Sequence, residues 1–172
     1  MMHLIGFIIQ LAIAVFIIRF HANAYYLGDN PVVAKLNEFT NPLVLPFQRL
    51  IPSKRFDIAS LIPALIIAVL AAFITARVAY HALIIGVNIF LLGTWLQVVF
   101  YAMLIVVIGS WLQADSRQPV MQIALACCEW LLAPIRQIIP SLGGLDFSPI
   151  AALFAIQFAR QGLNWLTSQL LF

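Results

Sequence analysis

Three histidines and two cysteines are the side chains in this chain best suited to holding a metal or a haem, and their spacing does not assemble a site. His3, His21 and His81 are far apart, with no H-E-x-x-H spacing to bring two imidazoles onto one helical face. His3 and His81 fall towards the same end of the apolar runs that contain them and His21 towards the other, so no pair is set to sandwich a haem. Cys127 and Cys128 are adjacent, which normally holds the sulfurs apart; they read as small apolar residues of a helix. Gly143-Gly144 lacks the Lys and Ser/Thr that would make a phosphate cradle, and no G-x-G-x-x-G or G-x-S-x-G phrase is present. The expectation is a protein with no catalytic, cofactor-binding or metal-ligating residue.

The chemistry-bearing residues that remain lie in a phrase that occurs twice. Pro134–Pro149 reads PIRQIIPSLGGLDFSP, and Pro46–Ser60 reads PFQRLIPSKRFDIAS. Pro46 matches Pro134, Ile51 matches Ile139, Pro52 matches Pro140 and Ser53 matches Ser141, all at a separation of 88 positions. One extra residue then precedes Asp146, the counterpart of Asp57. Each copy carries a basic residue near its start, Arg49 in the first and Arg136 in the second.

The elements that must position these residues are hydrophobic helices. Hydrophobic residues make up 64% of the chain and charged residues 9%, whereas a soluble domain uses roughly a quarter of its residues as charge. Several apolar runs approach the ~20 residues that cross a bilayer core. The fold class expected is an all-α integral membrane protein with four transmembrane helices, over residues 4–26, 58–76, 92–114 and 147–166. These form two parallel two-helix repeats, 1–90 and 91–172. Each holds an amphipathic segment and a short proline-bounded helical loop on the cytoplasmic side. The same 88-position shift lays residues 4–26 on the internal run 92–114, so the first run reads as a retained helix rather than a cleaved leader.

Local signals place the parts. Asn30-Pro31 starts an amphipathic helix, with Asn30 as N-cap and Pro31 at its first position. Asn41-Pro42 should interrupt it, and Pro46 and Pro52 should bound a further short turn. Asp57 reads as the N-cap of the second span, which Pro63 should kink. Residues 82–91 read as a helical extension or linker into the third span. Gln118-Pro119 opens the second amphipathic helix, Pro134 and Pro140 bound its short segment, and Gly143-Gly144 makes the turn. Asp146 then caps the fourth span, with Ser148 and Pro149 in its first turn. Ala151, Ala155 and Ala159 lie one turn apart and offer a face for a neighbouring helix.

Both interhelical loops then face one side. They hold Lys35, Arg49, Lys54, Arg55, Arg117, Arg136 and all 6 acidic residues, while Arg77 and Arg160 lie towards the other. The excess of Lys and Arg puts the loops in the cytoplasm of a bacterial inner membrane and both termini outside. Arg19, His21, Arg77 and His81 read as interface anchors, and Arg160 as a snorkelling cation. The net charge of +3 is scattered, with no basic cluster or base-stacking pattern for nucleic acid.

The repeated P-x-[RQ]-x-I-I-P…G-G-x-D-x-S-P phrase resembles the signature of the YggT family of small bacterial and plastid membrane proteins. In the second copy Pro134, Arg136, Ile138, Ile139, Pro140, Gly143, Gly144, Asp146, Ser148 and Pro149 all fit it. The first copy departs, with Lys54-Arg55 in place of Gly-Gly and Ala59-Ser60 in place of Ser-Pro. The resemblance implies roles in osmotic or salt-stress tolerance, membrane-complex assembly or division, without a reaction or a mapped site.

The function expected is that of a non-enzymatic membrane scaffold or assembly factor. Its partners would be the bilayer, anionic headgroups, and a membrane protein or a second copy of the chain. The motif residues Pro46, Arg49, Pro52, Asp57, Pro134, Arg136, Pro140, Gly143, Gly144, Asp146, Ser148 and Pro149 would be structural or would face that partner. The alternative is a small channel or transport-associated protein for osmotic balance, which would need a polar stripe through a span.

Overall fold

The computed structural model describes residues 2–52, 56–75, 80–139 and 146–171. Pro140, Gly143, Gly144, Lys54, Arg55 and Arg77 lie outside the described residues. Within them every regular element is helical: α1 Met2–Ala24, α2 Pro31–Leu50, α3 Leu61–Thr75, α4 Tyr80–Asn88, α5 Thr94–Trp111, α6 Pro119–Ile138 and α7 Ser148–Leu171. Short 3-10 turns at Leu27–Asp29 and Ile58–Ser60 precede α2 and α3, and a π turn at Ile89–Gly93 joins α4 to α5.

The repeat is visible in the helix boundaries. α2 and α6 are both 20 residues long, and Pro31 and Leu50 stand 88 positions before Pro119 and Ile138. The Asn30 side chain caps α2 as its sequence suggests, accepting from the N–H groups of Val32 at 3.0 Å and Val33 at 3.3 Å. Its own amide donates to the Pro119 carbonyl at 3.0 Å and to Gln122 Oε1 at 2.8 Å, tying the first turns of α2 and α6 together.

The prolines behave differently from expectation. α2 runs unbroken through Pro42 and Pro46, and α6 through Pro134, so neither copy has a separate proline-bounded helix between its prolines. A helical proline frees the carbonyl four residues earlier. Here the prolines and the residues losing a partner, Glu38, Pro42 and Trp130, are all exposed. The freed oxygens therefore lie on the outward face, where other donors can satisfy them. Pro63 does not sit mid-helix either. α3 begins only at Leu61, so the proline occupies a first turn, where its missing N–H has no partner to lose.

Residues 82–91 belong to one long helix. The apolar stretch Leu83–Trp111 is 29 residues with mean hydropathy 2.3, continuous through the π turn, and Leu4–Ala24 is 21 residues with mean hydropathy 2.2. These are the two helices among the described residues that are long and apolar enough to cross a membrane. Ile58–Ile74 is a shorter apolar helix. α7 is 24 residues long and carries Gln157, Arg160, Gln161 and Asn164. The Arg160 guanidinium lies 5.2 Å from the centre of the Phe100 ring, a cation–π contact rather than free snorkelling.

The core forms where α1, α3, α5, α6 and α7 meet, around Ile13, Ile17, Ala68, Val99, Met103, Cys128, Leu132 and Ala152. Small residues permit the closest approaches. A Cβ on Gly86 of α4 would come within 2.9 Å of the Ala72 Cβ on α3. One on Gly109 of α5 would overlap the Met121 Cε of α6. The Ala151–Ala155–Ala159 stripe of α7 does not face the core: Ala155 and Ala159 are exposed, and Ala152 and Ile156 are buried instead. Elsewhere the exterior is strongly apolar, with Phe7, Phe73, Ile74, Phe158 and Trp165 all more than half exposed.

Candidate functional site

The first copy buries its Asp57 in a polar knot between α1 and α2. Arg19 of α1 is 2% exposed, and its Nε donates to Asp57 Oδ2 at 3.1 Å. Its Nη1 donates to the Asn37 carbonyl at 3.1 Å and to Thr40 Oγ1. Asn23 Nδ2 donates to the same Asp57 oxygen at 2.8 Å, and Gln48 Nε2 donates to the other at 2.9 Å. Asn23 and Asn37 exchange side-chain bonds at 3.1 and 3.2 Å. The carboxylate thus accepts three bonds and its charge is met at contact distance, which is how a buried ion pair offsets its desolvation. Asp57 does not cap with its side chain; its backbone carbonyl instead accepts from Ser60 N at 3.0 Å and Ser60 Oγ at 2.6 Å.

The second copy keeps the aspartate and changes its partner. Arg136 of α6 donates from Nε to Asp146 Oδ2 at 3.1 Å and from Nη1 to both Glu129 oxygens at 3.0 Å. Asp146 Oδ1 accepts from the Ser148 N–H at 2.9 Å, so this aspartate does hold the first turn of its helix. The pair is more open than the first, with side-chain exposures of 38% and 39% against 3% and 9% for Arg19 and Asp57. Partial burial pushes the Asp146 carboxyl up, but hydrogen bonds from Ser148 and Arg136 outweigh it and hold the group below its usual range. For Arg136 burial works against the charge, but the Asp146 bond and the Glu129 carboxylate keep it firmly protonated.

A cavity of about 220 Å³ opens beside this pair, between the end of α5, the first half of α6 and the start of α7. Val107, Trp111, Leu125 and Met121 wall it, and Arg136 and Asp146 stand at its edge.

The structure brings together Arg136, Asp146 and Ser148 of the motif residues, and sets Asp57 among partners outside the motif. Ser148 and Pro149 are buried; Pro46, Pro52 and Pro134 are exposed. Arg49 is exposed and makes no polar contact with another described residue. Reading the motif alone misses Arg19, Asn23, Asn37, Thr40, Gln48 and Glu129. One signal was available: Gln48, not Arg49, stands 88 positions before Arg136. Arg19 is no interface anchor but the buried counter-ion. His21 lies edge-on to Phe20 and Trp95, at 5.3 and 5.1 Å between ring centres, with Nε2 buried and unpartnered. Among the described residues no three His, Cys, Asp or Glu side chains converge on a metal position. The arrangement holds charge and fixes helix geometry.

The family model described as CCB3/YggT matches residues 1–78 and again 85–167. An uncharacterized protein of Pseudomonas aeruginosa is 36% identical over 136 residues, covering 74% of this chain and 69% of that protein. The uncharacterized protein YggT of Escherichia coli is 30% identical over 137 residues, 78% of this chain and 72% of its own. A Vibrio alginolyticus protein is 30% identical over 172 residues, 93% and 91% of the two chains. No solved structure matches. The chain belongs to the CCB3/YggT family.

Proposed function

We propose that this member of the CCB3/YggT family is a non-enzymatic, multi-pass scaffold or assembly factor of the bacterial inner membrane. α1, Ile58–Thr75, the continuous α4–α5 rod and α7 would be its four spans, with α2 and α6 on the cytoplasmic side and both termini outside. The apolar exterior supports a lipid surrounding, since soluble monomers rarely expose such continuous apolar surface.

The observation that carries the reading is the pair of tethered amphipathic helices. α2 and α6 have the same length, start at the same repeat position and are joined through Asn30. Each buries one face and leaves large apolar residues exposed among the charged ones of the other. Phe39 is 82% and Leu50 77% exposed on α2, and Ile138 is 80% exposed on α6. Two such faces at one end of the bundle suit a partner's membrane-proximal segment, and the open Arg49 suits anionic headgroups. The packed centre, where Ile13, Ile17, Val99 and Met103 are fully buried, favours a scaffold over a conducting path.

Photocrosslinkers placed at Phe39 and Ile138 in native membranes test the reading. A discrete protein adduct from both positions is expected. Lipid adducts and scattered neighbours alone would overturn it, and solute flux through the purified chain in liposomes would replace it with the channel.

A further inference from the structure

The two copies can be compared position by position, and they differ most beside the aspartate. Val107, Trp111 and Leu125 stand 88 positions after Arg19, Asn23 and Asn37. In the first copy those three residues form one polar network between α1 and α2, in which the Arg19 and Asn23 side chains bond Asp57 and the Asn37 side chain bonds Asn23. In the second copy the three apolar replacements line an open cavity of about 220 Å³ with Asp146 at its edge. A water's share of liquid volume is about 30 Å³, so the space suits a side chain better than a single solvent molecule.

Among the described residues, the ion clusters around the two aspartates also differ in charge. Arg19 and Asp57 neutralise each other, and Asn41 and Gln48 hold the registers of Glu129 and Arg136. In the second copy one cation, Arg136, is shared by two carboxylates, Glu129 and Asp146, which leaves the cluster one excess negative charge; of the three, Arg136 and Asp146 line the cavity. Asp115 and Arg117, either side of the lining residue Ser116, offset each other. The cavity therefore combines mostly apolar walls, with the Ser110 and Ser116 hydroxyls among them, and the carboxylate of an ion cluster carrying one surplus negative charge, at the register where the first copy seats its own arginine.

We propose that this cavity receives a basic side chain, Arg or Lys, presented by a helix of a partner membrane protein. The aliphatic stem would lie along Val107, Leu125 and Met121, and the cationic head would reach Asp146, as Arg19 reaches Asp57. The excess carboxylate disfavours a phosphate, and one carboxylate already paired with Arg136, beside two serine hydroxyls, is a poor ligand set for a metal ion. The partner as source of the cation rests on the scaffold reading; the cavity's choice of a cation on an apolar stem does not.

Butylguanidinium, a guanidinium on a four-carbon stem, probes the full-length protein in detergent through tryptophan fluorescence, with Trp111→Phe identifying the responding ring. Saturable binding is expected, weakened about tenfold or more by Asp146→Asn, the loss of one charge-assisted bond. Butyl sulfate should not compete. Val107→Arg should fill the seat from within, abolish probe binding and raise the melting temperature, whereas Val107→Met should leave that temperature unchanged. The proposal is overturned by no saturable binding, by equal binding of butyl sulfate, or by an unchanged affinity in Asp146→Asn. Displacement of the probe by phosphatidylethanolamine nanodiscs, but not by phosphatidylglycerol ones, would assign the seat to a lipid amine and overturn the partner side chain. Crosslinking at Phe39 and Ile138 reads the scaffold and this titration reads the cavity, so either can fail alone.

Discussion

Replacing Asp57 by Asn keeps the shape of the buried knot and removes its negative charge. Arg19 would keep its bonds to the Asn37 carbonyl and Thr40 but lose the only carboxylate it touches among the described residues. Both partners are nearly sealed, at 3% and 9% side-chain exposure, so the remaining charge has little solvent to retreat to. Breaking such a pair from one side costs about 3–5 kcal/mol. For a chain of 172 residues that is a fall in melting temperature of about 6–20 °C. In the second copy Arg136→Gln removes the cation of a pair more than a third exposed and should cost about 1 kcal/mol or less. Thermal unfolding in detergent with a fixed lipid supplement measures both. The double variant Arg19→Met with Asp57→Asn completes the cycle and should recover a substantial part of the loss, because no uncompensated charge is left buried. Equal costs for Asp57→Asn and Arg136→Gln, or strictly additive effects of the Arg19 and Asp57 changes, would refute the reasoning.

Gly86→Ala should cost about 1–3 kcal/mol despite the better helix propensity of alanine, because its Cβ meets the Ala72 Cβ, which has no flexible end to swing aside. Gly109→Ala should cost less, since the atom in its way is the terminal methyl of Met121; urea titrations of the two variants would rank them. Cys127 and Cys128 are buried, and burial pushes the Cys127 thiol up to about 12, so neither should be alkylated by iodoacetamide at pH 8 until detergent denatures the chain. The Asp146 carboxyl is held below its usual value of about 3.9. Its contribution is therefore complete above that pH and is lost as the pH falls through the lower folded value. The difference in melting temperature between the parent and Arg136→Gln should shrink from pH 6 towards pH 3.

The helices were legible because their signals are local. Asn30-Pro31 and Gln118-Pro119 announce the starts of α2 and α6, and the 88-position shift carries one boundary onto the other. The prolines misled because sequence alone does not say which face a carbonyl will be on; Pro42, Pro46 and Pro134 all fell on the outer one. The buried knot was illegible for a different reason. Arg19 lies 38 positions from Asp57, beyond any local pattern, and near the end of an apolar run its charge resembles an interface anchor. Matching residues by type paired Arg49 with Arg136, where matching by register pairs Gln48 with Arg136 and reveals that both reach the aspartate.

That register match turns an apparent conservation of charge into a transfer of it. Both copies hold one aspartate at the entrance to their second helix. The first copy reaches it with an arginine from α1 and a glutamine from α2; the second reaches it with an arginine from α6, at the glutamine's position. With the cation moved to α6, α5 carries Val107 and Trp111 at the positions of Arg19 and Asn23, while Gly109 lets Met121 press in close. The first hairpin is closed from within by its own hydrogen bonds, and the second is left with a lined cavity and a surplus carboxylate. On the proposal that the open cavity receives a cation, the duplicated unit divides its labour between holding the fold and presenting a surface. Mutations in the two copies should therefore separate, those around Asp57 lowering stability and those around Asp146 altering what the protein binds.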